Sequence, residues 1–261
     1  MTYETLDVTV DARGVAYVTM NRPDKRNALA AAMIAELTDM AHNIGAARET
    51  RAIVLAGAGK VFCAGGDLGW MQDQMRADGE TRFREARKLA EMLYAMNTVP
   101  QPVIGAIQGN AFGGGLGLVS ICDVAIGVEA AKLGFTEARL GLIPATISPY
   151  CLARMGEAMA RRVFMSARLF GAEEAVALGL LAQAVAPEDL AAAVEAEVAP
   201  YLSCAPGAVA ASKRLARSLG PVIDEAVIDR TIAALVAQWE TEEAKEGIDA
   251  FFGKRKAAWV S

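Results

Sequence analysis

Apolar and polar positions alternate through residues 6 to 20, LDVTVDARGVAYVTM, on either side of Arg13-Gly14. A period of two interrupted by a glycine turn predicts a β-hairpin. After the polar turn NRPDKRN, the stretch ALAAAMIAELTDMAHNIGA shifts to the 3.6-residue spacing of an amphipathic helix. Three short apolar runs, RAIVLAG at 51–57, PVIGAIQG at 102–109 and DVAIGV at 123–128, read as buried strands. Between them, VFCAGGDLGW is a loop opening a helix with Asp67 at its cap or first turn, residues 80–97 form a charged amphipathic helix, and GGGLGLVSICD begins another. Strands that alternate with helices imply α/β layers. From about residue 156 the pattern is mostly helical, with alanine-rich faces. No internal repeat or long linker stands out. The chain therefore reads as an α/β core over 1–200 and a helical C-terminal region over 201–261.

Composition narrows the function classes. At 261 residues, 54% hydrophobic and 22% charged, the chain can bury a substantial core. A net charge of -5 leaves no broad basic surface for nucleic acid or an anionic membrane. Any anionic ligand must be held by a few local cations. Cys63, Cys122, Cys151 and Cys204 have neither zinc-site nor disulfide-framework spacing, so no metal is expected. The opening MTYETLDVTVDARG lacks a basic segment followed by an apolar one, which makes a cytoplasmic location the expectation. Pro102 to Cys122 is uncharged and long enough to cross a bilayer, but its six glycines, Gln108 and Asn110 favour a buried strand, loop and helix.

Several familiar chemistries fail on inspection. AGAGK at 56–60 follows a strand, yet position 54 is Val and Lys60 is followed by Val61, so it is no phosphate loop. GGGLGL does not satisfy G-x-G-x-x-G, since 118 is Leu and 120 is Ser. The single histidine, His42, lies in the first helix and far in sequence from the glycine loops. It reads as a surface or packing residue, and there is no G-x-S-x-G elbow. Carboxylates and backbone groups remain as the candidate machinery.

The two loops CAGGDL and AFGGGLGL each come after a strand and open a helix, where unpaired N–H groups point outward. Two such groups converging on one point would form an oxyanion hole; glycines that merely permit close strand–helix packing are the alternative. The chain resembles the crotonase superfamily, the enoyl-CoA hydratase and isomerase family, across nearly its whole length. NRPDKRNAL at 21–29, FCAGGDL at 62–68, AIQGNAFGGGLGL, CDVAIG at 122–127, FTEARLGLIP at 135–144 and EGIDAFFGKRK at 246–256 carry the resemblance.

The resemblance implies a fold of repeated ββα units with a helical C-terminal region that assembles trimers or hexamers. It implies that the N–H groups of Ala64 and Gly114 bind the thioester oxygen of an acyl-CoA, with Gly66, Asp67, Leu68 and Gly113 beside them. Lys25, Arg26 and Ala28 match the segment that lines the CoA site. Phe251 and Lys254 match a C-terminal pair that in relatives reaches CoA in a neighbouring subunit. Glu137 matches one catalytic glutamate. CoA is then part of the substrate, and no separate cofactor is implied.

The departure is at Gly117, where typical hydratases carry a second glutamate. Its absence suggests space for a water or a substrate group. Three functions follow: hydration of a 2-enoyl-CoA with Glu137 activating water, migration of a double bond from the 3 to the 2 position with Glu137 as the lone base, or acyl-CoA binding without catalysis. IPATISPY at 143–150 and GGDLGWMQ at 65–72 resemble hydratases of branched, carboxylated enoyl-CoAs of the 3-methylglutaconyl-CoA type in leucine breakdown. Cys63, with no base near it in sequence, is expected to be a packing spectator. Trp70, Met71 and Met75 read as an ordinary core stripe.

Overall fold

A computed structural model describes residues 2–261. The strands are β1 (Leu6–Val10), β2 (Val15–Met20), β3 (Ala52–Gly57), β4 (Val61–Cys63), β5 (Val103–Ile107), β6 (Asn110–Phe112), β7 (Val124–Val128), β8 (Lys132–Gly134), β9 (Phe170–Gly171) and β10 (Gln183–Val185). The helices are α1 (Ala31–Ala46), α2 (Leu68–Arg76), α3 (Gly79–Thr98), α4 (Gly114–Ile121), α5 (Ser148–Phe164), α6 (Ala172–Ala177), α7 (Leu190–Leu202), α8 (Pro206–Leu219), α9 (Glu225–Trp239) and α10 (Glu242–Phe252).

The larger sheet runs β1-β2-β3-β5-β7-β10. The expected hairpin supplies its antiparallel edge, with Leu6 opposite Met20, and the remaining neighbours are parallel. The central strands β3 and β5 are apolar throughout because both faces are covered. Val194 and Val198 of α7 pack against Val54, Ile104 and Ile126 on one side, while Leu37, Met92 and Leu93 from α1 and α3 join Ile53, Leu55 and Val103 on the other.

A second sheet, β4-β6-β8-β9, is made of strands of three residues or fewer, which apolar periodicity does not reveal. β3 passes into β4, β5 into β6 and β7 into β8, each pair followed by a helix or helical turn. This is the repeated ββα unit that the resemblance implies. The repeat lies in topology and leaves no period in the residues.

The small sheet positions the chemistry. β4, β6 and β8 are neighbours and parallel, so their C-terminal ends share one edge, with adjacent strands about 5 Å apart. The loops leaving those ends carry Ala64–Asp67, Gly113–Gly115 and Glu137. Segments up to 73 residues apart in sequence (64 to 137) thereby meet in one place.

The C-terminal helices close over this edge from their own chain. Ile228 and Ile232 of α9 pack on Ala86 and Ala90 of α3. Trp239, Ala244 and Ile248 of α9 and α10 enclose Leu142. No helix among the described residues is long and apolar enough to cross a membrane.

Candidate active site

The glycines of 113–117 have separate reasons. Gly113 has φ +50° and ψ −118°, a conformation that L side chains rarely adopt, and a Cβ there would stand 3.1 Å from Glu137 Oε1. A Cβ on Gly115 would lie 2.6 Å from the Cys63 carbonyl oxygen, so this glycine lets α4 press against the end of β4. Gly114 begins α4, and its N–H has no acceptor among the described residues, as befits the first turn of a helix.

The facing loop gives one correction. The Ala64 N–H, expected to be one arm of the oxyanion hole, donates to the Arg26 carbonyl at 3.0 Å and is already spent. Leu29 N–H donates to Gly65 O and Asp67 N–H to Leu29 O, which leaves the Gly66 N–H between them without an acceptor among the described residues. A Cβ on Gly65 would lie 3.7 Å from Gly114 N, so the two loops touch. Gly66 and Gly114 are therefore the free donors. Sequence spacing located the loop, but only the hydrogen bonds show which of its amides is free.

Glu137 opens a 3-10 turn, Glu137–Leu140, immediately after β8. The residue as a whole is half-buried, yet its Oε2 is sealed from solvent and has no hydrogen-bond partner. Desolvation raises its pKa to about 7, opposed in part by a bond from its own backbone. Arg139 is exposed and makes no ion pair with it. A carboxyl near 7 can accept and return a proton at neutral pH.

Gly117 gives a second correction. A Cβ there would lie 2.4 Å from Ile147 Cγ2 and 3.4 Å from Leu93 Cδ2. The place where a second carboxylate would start is filled by hydrocarbon, and no room for a water or substrate group opens at Gly117 itself.

A cavity of about 250 Å³ joins these parts, walled by Ala64–Gly66, Gly113, Gly114 and Glu137. Leu29, Ile34, Leu142, Ile143 and Ile147 make it apolar, and the wall includes no Lys, Arg or His. Trp70 and Met71 belong to this wall, whereas Met75 packs in the cluster around Leu142 and Trp239. Leu235 and Trp239 of α9 also line it; as parts of an ordinary amphipathic helix they carried no sequence signal.

The expected CoA residues are divided. Asp67 caps α2 by accepting from Gly69 N–H at 2.9 Å, and its other oxygen accepts from Arg22 at 3.1 Å. Arg22 also holds the carbonyl of the buried Ala28, so it braces the loop carrying Gly66; sequence reading passed over it. Lys25 and Arg26 are exposed in and after the turn Pro23–Lys25, outside the cavity wall. Leu68 and Phe251, both about half exposed, stand on the wall, and Lys254 is exposed beyond it. Phe251 thus lines the cavity of its own chain. Burial drives the Cys63 thiol to about 12, so it is no nucleophile at neutral pH.

The model of the enoyl-CoA hydratase/isomerase family matches residues 11–261. An enoyl-CoA hydratase from Shewanella pealeana superposes with a TM-score of 0.81 at 36% identity, over 98% of this chain and 96% of its own. One from Mycobacterium avium gives a TM-score of 0.86 at 30% identity, over 99% of this chain and 100% of its own. A relative from Thermus thermophilus is 34% identical over 251 residues, 95% of this chain and 98% of its own length. This similarity over nearly the full length, with a half-buried glutamate and two free amides on the wall of one apolar cavity, makes the chain an enzyme of the enoyl-CoA hydratase/isomerase family, within the crotonase superfamily.

Proposed function

We propose that this enzyme hydrates a 2-enoyl-CoA thioester with Glu137 as the only proton carrier. The observation that carries the reading is the half-buried Glu137 carboxyl, sealed and without a partner at Oε2 and raised to about 7, on the same cavity wall as Gly66 and Gly114.

In the proposed reaction the ionised Glu137 takes a proton from water as its oxygen bonds to C3, and the double-bond electrons move through C2 to the thioester oxygen. Gly66 and Gly114 N–H groups stabilise that enolate oxygen. Glu137 then returns the proton to C2 and the carbonyl re-forms. One carboxyl suffices because the proton it accepts is the one it donates.

The apolar wall suits a branched hydrocarbon acyl group. The IPATISPY loop keeps 3-methylglutaconyl-CoA as a named candidate, but its terminal carboxylate would meet no cation on the wall and would have to project from the mouth into solvent. Double-bond migration is the second reading, favoured by Ile147 occupying the second acid's place. Exposed Leu215, Leu219 and Val222, at 61%, 80% and 68%, support assembly into a homotrimer or a pair of trimers.

The test is mass spectrometry with chromatographic separation of products from wild type and Glu137→Gln. Substrates are 3-methylglutaconyl-CoA, its uncharged counterpart 3-methylcrotonyl-CoA, a straight-chain 2-enoyl-CoA and a 3-enoyl-CoA. Addition of one water by wild type alone, with the uncharged branched substrate turned over at least as efficiently as the carboxylated one, is expected. Double-bond migration without water would replace the hydratase reading with the isomerase one.

A further inference from the structure

With Gly117 unable to present an acid and Ile147 occupying its place, the attacking water needs another polar contact. The residue bonded to Ile147 is Thr146, which is only 6% exposed yet lies on the cavity wall. Its hydroxyl has no hydrogen-bond partner among the described residues and is not among the polar atoms sealed from solvent, so on this wall residue it is accessible to a water. A buried hydroxyl without a protein partner is costly unless something else bonds to it.

The turn fixes where that hydroxyl sits. Ala145 N–H donates to Ile143 O at 2.8 Å and Ser148 N–H to Ala145 O at 3.1 Å, while the Ser148 hydroxyl donates to Pro144 O. These bonds lock residues 143–148 against the start of α5. The same turn that sends Ile147 into the gap above Gly117 therefore sets Thr146 on the wall that Glu137 shares.

We propose that the Thr146 hydroxyl holds the water that adds to C3, doing by hydrogen bonding what the missing carboxylate does in two-glutamate sites. The proposal rests on the hydratase reading. The hydroxyl accepts from or donates to the water while Glu137 removes the water's other proton; Thr146 gains and loses no proton in the overall step. A neutral group here leaves Glu137 as the sole titrating group on the cavity wall.

Thr146→Val keeps the shape and removes the hydroxyl, and Thr146→Ser keeps the hydroxyl. Hydration by each is compared with wild type, alongside solvent-deuterium exchange at C2 of butyryl-CoA, a reaction that needs Glu137 and the amides but no added water. Expected for the valine variant is a roughly 10- to 100-fold loss of hydration kcat with KM and C2 exchange nearly unchanged, and for the serine variant near-wild-type hydration. Wild-type hydration by Thr146→Val, or equal loss of exchange and hydration, would overturn the assignment. If wild type itself exchanges and isomerises but adds no water, the hydratase reading falls before any variant is made, and this proposal falls with it.

Discussion

Glu137 is costly to keep, and the cost has a definite sign. Its folded-state pKa, about 7, lies above the unfolded value near 4.5 because burial disfavours the charge. The stability associated with the neutral form is present below the unfolded value and is lost as pH rises through 7. Between pH 5.5 and 8 wild type should lose about 2 kcal/mol relative to Glu137→Gln in denaturant titrations. Activity runs the other way, since only the ionised form is a base. The proposed hydration should therefore show kcat/KM rising tenfold per pH unit below about 7 and levelling above it. A flat profile over pH 5.5 to 8 would mean that the carboxyl is not the group whose ionisation limits the rate. At this scale the sequence was informative about identity and uninformative about contacts. Glu137 stood out as a carboxylate in an apolar run matching a family motif, but Ala64 and Gly66 are two positions apart in one loop, and only the Ala64 bond to Arg26 separates a spent amide from a free one.

Elements hold Glu137 in place through backbone contact. The turn Glu137–Leu140 ends at Gly141, whose φ is +69° and whose carbonyl accepts from Gln238 Nε2 at 2.7 Å. A Cβ on Gly141 would lie 2.3 Å from Glu243 O, and one on Gly247 would lie 2.5 Å from Leu140 O. α10 thus packs with its own backbone on the catalytic turn. Gly247→Ala must push α10 and the turn apart. The expected result is about 1–3 kcal/mol of destabilisation together with loss of turnover, measured by thermal unfolding and product formation; an unchanged enzyme would show that the turn is held from elsewhere. Gly117→Glu should destabilise similarly by striking Ile147, and pairing it with Ile147→Gly should recover part of the loss. Long elements were legible in the residues: the hairpin, the central strands and α3 fall within a residue or two of expectation, and α1 begins three residues later than its pattern suggests. β4, β6 and β8 were not, because three residues are too few for a period, and they are the strands that gather the site.

At the scale of the whole molecule, α8 carries an apolar face that its own core does not cover. Along α8, Leu215 and Leu219 lie four residues apart and so share a face, and Val222 follows beyond its end. None of the fourteen residues of α8 is buried, although the helix is as strongly two-faced as α5 or α10. Such a helix gains little by lying on its own chain and much by covering its apolar face with another. The proposed assembly therefore makes a concrete demand. Wild type should sediment at three or six times the 27.4 kDa chain mass, and Leu219→Asp should shift it toward single chains. Because α9 and α10 close the cavity of their own chain, that dissociated variant should retain its secondary structure and its Glu137-dependent exchange at C2. If it instead loses exchange while remaining folded, a neighbouring chain must complete the site, and the cavity wall described for one chain would be only part of it.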